Sequence, residues 1–362
     1  MSAAAAPSLA DLNSVLAGGA ELSPAARLQQ LVRSGMDRLP LPAEGATLQR
    51  WQVLSAVAAA DLSLAKLFEG HTDAQAILCE VADLHDALDL LAPPDASVAP
   101  ASPAHALWGV WAAEAPGARV EIHRNAGGQI TLRGTKHWCS GAEHLTHALL
   151  TAWEPAPAPQ TPQLVAVRLQ QPHVSVSSQS WQAVGMAGSA SVDVTFHNAP
   201  ATLIGAPGDY LSRPGFWHGG AGVAACWYGG AMALARALHQ AVAHRPVGQG
   251  GQPFKEAALG KVDVALGGAA ALLREAAQWI DAYPRADAQP VVLRVRQAVE
   301  AVARQTLDET TRALGPMPLC RDAAFARRAA DLPVFIRQSH ADRDDAALGR
   351  LRAAERAAPW AL

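Results

Sequence analysis

Leu132-Arg133-Gly134-Thr135-Lys136-His137-Trp138-Cys139-Ser140-Gly141-Ala142 is the stretch on which the fold turns. It follows Ile130 and Leu132, which alternate with polar neighbours as strand residues do. It places an indole at 138 and a hydroxyl at 140. Residues two apart on a strand share a face, so Trp138 and Ser140 can point at one ligand. The alternative is an indole in the core and a hydroxyl that caps a turn.

The same period extends outward. Val120 and Ile122 alternate with polar residues, and Asn125-Ala126-Gly127-Gly128 is a turn signal, so the segment ending at Leu132 reads as a β-hairpin. Leu145–Trp153 and Leu164–Leu169 read as apolar strands separated by the Pro-rich loop Glu154–Gln163. Val174 with Val176, then Val192, Val194 and Phe196, alternate again. Residues 105–206 therefore form a β domain, a small barrel in the expected architecture.

Helical periods flank it. A short helix is expected near Ala25–Met36. Leu48, Trp51, Leu54 and Val57 mark a helix from Thr47, which Asp61–Leu67 either continues or follows with a new start. A further helix is expected over Asp73–Leu91, before Pro93, Pro94, Pro100 and Pro103 break the pattern. After Pro214 come a helix over Ala221–His244 and a second whose face is Leu259, Val262, Leu266, Ala269, Leu273, Ala277 and Ile280. A third carries Val292, Val295, Val299, Val302 and Thr306 and ends near Gly315; Phe325–Leu351 supplies a fourth. The expected fold is α+β: an N-terminal helical domain over 1–104, the β domain, and a C-terminal four-helix bundle over 207–362. Strands and helices do not alternate, which disfavours a doubly wound sheet.

The chain has 362 residues, half of them hydrophobic and 17% charged, with a formal net charge of −3. Those values fit a folded protein and give no electrostatic reason to expect nucleic acid. Four scattered cysteines, Cys79, Cys139, Cys226 and Cys320, have no metal-ligand spacing and suit a reducing cytoplasm. Met1–Leu9 lacks a basic region ahead of an apolar core, and no apolar run reaches ~18 residues, so neither a signal peptide nor a membrane span is expected. Motifs for a nucleophile elbow, a phosphate-binding loop or a zinc helix are absent. His144 and His147 are read as structural.

Two stretches together resemble the acyl-CoA dehydrogenase superfamily. Gly134-Thr135-Lys136-His137-Trp138-Cys139-Ser140 is similar to its Gly-x-Lys-x-Trp pattern, and Gly185-Met186-Ala187-Gly188-Ser189 through Phe196 to its Gly-x-x-x-Ser stretch. Asp61–His71 resembles its N-terminal helical domain, and the likeness runs from about Thr47 to Arg350. It implies a flavin, FAD or alternatively FMN, between the β domain and the bundle, in a cytoplasmic homodimer or homotetramer. Trp138, Cys139 and Ser140 would then meet the flavin ring, which needs an aromatic wall and polar donors at its edge. Glu114, in Trp111-Ala112-Ala113-Glu114-Ala115-Pro116-Gly117, stands where the family has a hydroxyl-rich phosphate-binding stretch, here replaced by alanines. Arg245 falls where the family has a diphosphate-binding arginine, and Gly315 at its adenosine-side turn.

Acyl-CoA dehydrogenation needs a carboxylate base in a dry site. The family places it after an Arg-Asp pair, here Ala330-Asp331, but Phe335-Ile336-Arg337-Gln338-Ser339-His340 contains no Glu. The other family position, near Gly219-Gly220-Ala221-Gly222, has none either. Candidate substitutes are His340 and Asp342, with Asp344 behind them; the plain alternative is a solvated charged helix face. Three functions follow from the resemblance. The first is an oxidoreductase acting on an acyl-CoA or related thioester with a displaced base. The second is a monooxygenase using externally reduced flavin and O2, similar to the dibenzothiophene monooxygenase branch. The third is a redox-inactive binding or assembly subunit.

Overall fold

The computed structural model describes residues 7–81, 106–155, 161–244, 252–355 and 360. They cluster into two compact units. The first comprises Met1–Leu39, Lys66–Ala183 and Ala187–Phe216; the second comprises Pro40–Ala65, Val184–Met186 and Trp217–Leu362.

In the first unit, helices α1 (Leu9–Gly18) and α2 (Pro24–Arg33) precede the N-terminal strands. Ser8 and Ser23 cap them by accepting the amides of Asp11 and Ala26. The α1 helix is absent from the expectation because only Leu12 and Leu16 mark its buried face. Helix α4 (Leu62–Val81) begins a new helix rather than extending α3 (Thr47–Ala60): Asp61 Oδ1 accepts the Leu64 amide at 2.7 Å. Asp73 is mid-helix, so the start expected there is replaced by this earlier one; residues 82–91 lie outside the described residues.

The sheet follows α4 in the chain. Its strands are β1 (Trp108–Trp111), β2 (Val120–Arg124), β3 (Ile130–Cys139), β4 (His147–Ala152), β5 (Gln163–Arg168), β6 (Val174–Ser177) and β7 (Val192–Ile204). The order is β1-β4-β5-β7-β3-β2, with β6 also on β7. The hairpin β2–β3 forms as read, and Asn125 Oδ1 closes its turn by accepting from Gly127 and Gln129. At Gly134, opposite Val120, a side chain would run into the Arg119 carbonyl. The sheet curls back on itself. Ile122 donates to the Trp153 carbonyl at 2.9 Å and Trp153 to the Val120 carbonyl at 2.9 Å, so β2 meets the chain just past β4. Its apolar interior is continuous with Ala74, Ile77 and Leu78 of α4, which pack with Trp108, Leu149, Leu164 and Ile204. His147 is buried there, stacked on Trp108 at 4.8 Å, and burial with the nearby Arg168 pushes its pKa down to about 4.

In the second unit, α3 is joined by α6 (Gly215–Ala243, after its first two residues), α7 (Pro253–Ala282), α8 (Gln289–Leu314), α9 (Pro316–Arg321), α10 (Ala323–Phe335) and α11 (Asp342–Ala353); the four-residue α5 (Asp209–Ser212) belongs to the first unit. No side chain of its own caps α3. Asp281, at the end of α7, does so by accepting the amides of Gly45 and Thr47, both at 3.1 Å, and the Thr47 hydroxyl at 2.6 Å. The small residues of α6 are taken up inside the unit. Gly229 abuts the Ser55 backbone, Gly222 the side chains of Leu54 and Trp51, and Gly230 those of Leu62 and Leu332. The stretch after Pro316 departs from the single fourth helix expected over Phe325–Leu351. Pro333 sits near the end of α10, a 3-10 turn spans Ile336–Gln338, Ser339 is extended, and Ala341 has a left-handed φ of 47° before α11 begins. Among the described residues, no helix is long and apolar enough to cross a membrane.

The second Gly-rich motif anchors in this unit. Gly185 lies against the Ala330 carbonyl, and the Met186 amide donates to Asp331 Oδ1. Burial raises the Asp331 pKa, although the Met186 bond opposes that shift.

Two tests follow from this packing. Gly229→Ala is expected to destabilise the protein by about 1–3 kcal/mol through overpacking. Gly260→Ala and Gly267→Ala, in exposed parts of α7 with open space around them, are each expected to stabilise it by about 0.5–1 kcal/mol. Urea unfolding measures both. At position 331, Asp331→Ala strands the Met186 amide and is expected to cost about 1–3 kcal/mol. Asp331→Asn keeps an acceptor and has no proton to lose. A carboxylate with a raised folded pKa binds more protons folded than unfolded, so its contribution falls as pH rises from the ordinary carboxylate range through the folded value. The Asn variant is therefore expected to gain on wild type between acid and neutral pH in thermal melts.

Candidate functional site

The strand face proposed for Trp138 and Ser140 is corrected by the backbone. The β3–β7 register shifts between Lys136 and Cys139, and Trp138 has a left-handed φ of 60°. The Ser140 amide then turns back to the Trp138 carbonyl at 3.1 Å. The bulge takes the two residues off one strand face: Trp138 is the next-to-last residue of β3, Ser140 lies in the turn beyond it, and the alternation ends there. The indole is 52% exposed, so it is not core either. Ser140 is buried, and its hydroxyl has no hydrogen bond among the described residues. Its carbonyl accepts from Trp111 Nε1 at 3.2 Å. The next amide, Gly141, donates to the Ser189 carbonyl at 2.8 Å, which joins the two sequence motifs. A bulky non-glycine residue at positive φ is strained, and strain of this kind persists where the surroundings over-determine it.

Cys139 points the other way. It is fully buried, its Sγ lies 3.3 Å from the Lys136 carbonyl, and burial pushes its thiol pKa well up. It can offer a ligand backbone atoms only. Glu114 is also engaged: Lys136 Nζ, buried, reaches Glu114 Oε1 at 2.8 Å and Thr151 Oγ1 at 2.8 Å, and the Thr151 hydroxyl donates to Glu114. A buried ammonium needs such partners. The lysine of the motif therefore ties the 114 segment to β3 and β4.

In the second unit, the two segments searched for a dehydrogenase base are both tied to one residue. Arg296 Nη1 donates to the Gly220 carbonyl at 2.6 Å and Nη2 to the Gln338 carbonyl at 2.8 Å, with the guanidinium 4.8 Å over the Trp227 ring. Next to it, Arg337 pairs with the buried carboxylate of Glu300. Gln297 Nε2 donates to the Ala341 carbonyl at 2.9 Å, and the Ser339 hydroxyl to Gln297 Oε1 at 3.0 Å. The non-helical turn between α10 and α11 is thus held by α8. Sequence reasoning missed Arg296. The available signal was a lone arginine on the apolar face marked by Val292, Val295 and Val299.

His340 and Asp342 are exposed, which is not the dry setting that α-proton abstraction requires. Asp342 has no bond to His340; Asp344 does, its Oδ2 accepting the His340 amide at 3.1 Å. Gly315 closes α8 with a φ of 68° and open space around it, a turn glycine. Arg245 lies outside the described residues. Among the described residues, no group of three acidic, Cys or His side chains could hold a metal ion.

The family model of the acyl-CoA dehydrogenase middle domain matches residues 114–199. No curated protein sequence matches the chain. Among solved structures, the dibenzothiophene monooxygenase TdsC from Paenibacillus sp. A11-2, in complex with FMN and indole, is similar with a TM-score of 0.72 and 19% identity, over 96% of each chain. KijD3, in complex with FMN and a dTDP-linked amino-keto sugar, is similar with a TM-score of 0.75 and 20% identity, over 95% of this chain and 91% of that one. The methanesulfinate monooxygenase MsuC from Pseudomonas fluorescens gives 0.71 and 18%, over 98% of each. At these identities the likeness to solved structures is one of fold. Residues 114–199 thus match the acyl-CoA dehydrogenase middle domain, and the chain as a whole shares the fold of these solved structures.

Proposed function

We propose that the protein is a flavin-dependent monooxygenase that takes reduced FMN from a separate reductase and uses O2 on a small organic substrate. One observation carries this reading: a dehydrogenase needs a carboxylate at Gly219–Gly222 or Phe335–His340, and a guanidinium bonds to both segments instead. A cation at that point cannot accept an α proton. The acyl-CoA oxidoreductase reading is left without a base, since His340 and Asp342 stand in water.

The first unit fits a flavin ring. Trp138 presents an exposed flat apolar wall, and Ser140 keeps an unspent hydroxyl two residues on. The phosphate side fits FMN better than FAD. The hydroxyl-rich stretch of the family is alanine at 112, 113 and 115, and Glu114 is held by Lys136. TdsC and KijD3 were both solved with FMN. Bound reduced flavin would activate O2, with one oxygen atom passing to the substrate and the other leaving as water.

Two measurements test the reading. Protein loaded with FMN and mixed anaerobically with short, medium and long acyl-CoAs is expected to keep its visible flavin absorbance; bleaching would return the protein to the dehydrogenases. With a flavin reductase, NADH and 18O2, a panel of indole, dibenzothiophene and methanesulfinate is expected to include a substrate whose product carries one labelled oxygen. Absence of any flavin binding would leave the redox-inactive subunit.

A further inference from the structure

Strand β1 begins between two buried histidines. His71, on α4, is 1% exposed, and both its ring nitrogens are engaged. Nδ1 accepts the Trp108 backbone amide at 3.2 Å, and Nε2 lies 3.2 Å from Asp37 Oδ2, to which Gln75 Nε2 donates at 3.0 Å. A backbone amide only donates, so Nδ1 offers its lone pair and the ring's proton is on Nε2, facing Asp37. On the other side, His147 of β4 stands in register with Trp108 and stacks on its indole at 4.8 Å. His147 Nδ1 lies 2.8 Å from the Thr146 hydroxyl, which also takes the Leu107 amide at 2.8 Å. The charged groups acting on this cluster are Asp37, just after α2, and Arg168, opposite His147 on β5. Lys66 and Glu69, earlier on α4, pair with each other at 3.0 Å.

Both rings seat Trp108 only while they are neutral. A proton on His71 Nδ1 would set two N–H groups face to face and withdraw the acceptor from β1, while Asp37 remains to stabilise the imidazolium. A proton on His147 would place a second cation opposite Arg168 in a buried setting. Among the described residues, β1 is an edge strand whose ladder is with β4 alone. Its far end carries Trp111, whose Nε1–H holds the Ser140 carbonyl at 3.2 Å. We propose that β1 is an acid-released strand: proton uptake by His71 and His147 frees it from α4 and β4 and slackens the turn at Ser140. The proposal is independent of the monooxygenase reading. The sign follows from His147, whose folded pKa of about 4 lies below its ordinary 6.5. The released strand binds that proton more readily, so the seating is complete above the ordinary value and is lost as pH falls towards the folded one.

Hydrogen exchange of the full-length protein, read by mass spectrometry and corrected for the intrinsic rate at each pH, tests the release. Protection of the Trp108–Trp111 amides is expected to fall about tenfold or more between about pH 7.5 and 5, while protection of the α7 amides holds. Protection of β1 that stays flat over this range, or that falls in step with α7, would overturn the proposal. The double variant His71→Gln, His147→Gln puts side chains that cannot titrate, yet can accept and donate, at both places. Its β1 protection is expected to change by less than about threefold over the same range. A fall as large as that of wild type would assign the sensor to other groups and overturn the proposal as well. Should the double variant fail to fold, the wild-type profile decides alone.

Discussion

A buried guanidinium cannot shed its charge, so the chain around it must supply acceptors or lose several kcal/mol. Arg296 meets that demand with the Gly220 and Gln338 carbonyls and the face of Trp227. Each contact constrains something else. The first pins the opening turns of α6; the second pins the end of the 3-10 turn after α10. The indole beneath fixes the plane in which the cation lies. With these three in place the helical path from Phe325 cannot run on unbroken, and α11 must start from a new direction. The charge at this point is therefore positive, and neither of the two segments it bonds carries a carboxylate of its own.

The β domain expresses a related economy of charge. In the superfamily pattern the stretch around Glu114 resembles one rich in hydroxyls for phosphate. Here its alanines make no such offer, and its glutamate turns inward to a buried lysine. Lys136 is a structural cross-link between the 114 segment, β3 and β4, and the indole two residues later faces out.

How much of this could be read in advance depended on whether a feature was periodic. The alternation at Val120, Ile122, Ile130 and Leu132 gave the hairpin with its turn, and the three-and-four spacing from Leu259 to Ile280 gave α7, because both patterns report directly on which face is buried. What periodicity could not report was interruption. The kink at Trp138 is a bulge of β3 against β7, where the step from Lys136 to Cys139 faces the step from Val194 to Val192, and the turn after Phe335 is bonded by side chains of α8. Nothing local to either segment announces it, apart from Pro333. The same limit governed the site. Trp138 and Ser140 were picked out as chemical types, but the face they were assigned assumed a regular strand, whereas β3 is bulged at Trp138 and ends at Cys139. Arg296 was visible only as an exception within a run of valines, and Asp344 only as the member of an acidic cluster that proves to bond back to His340. Arg245 and the residues around it lie outside the described residues.

The sulfur of Cys139 has a consequence of another kind. Sulfur is oxidised through its anion, and the rate falls as the thiol holds its proton and as solvent is kept away. Cys139 satisfies both conditions: it is fully buried and its proton is held tightly. It is also the immediate neighbour of the exposed indole of Trp138. Peroxide in solution would find no thiolate to attack at this position. The bulge that pushes Trp138 outward thus leaves the adjoining thiol sheltered from oxidants.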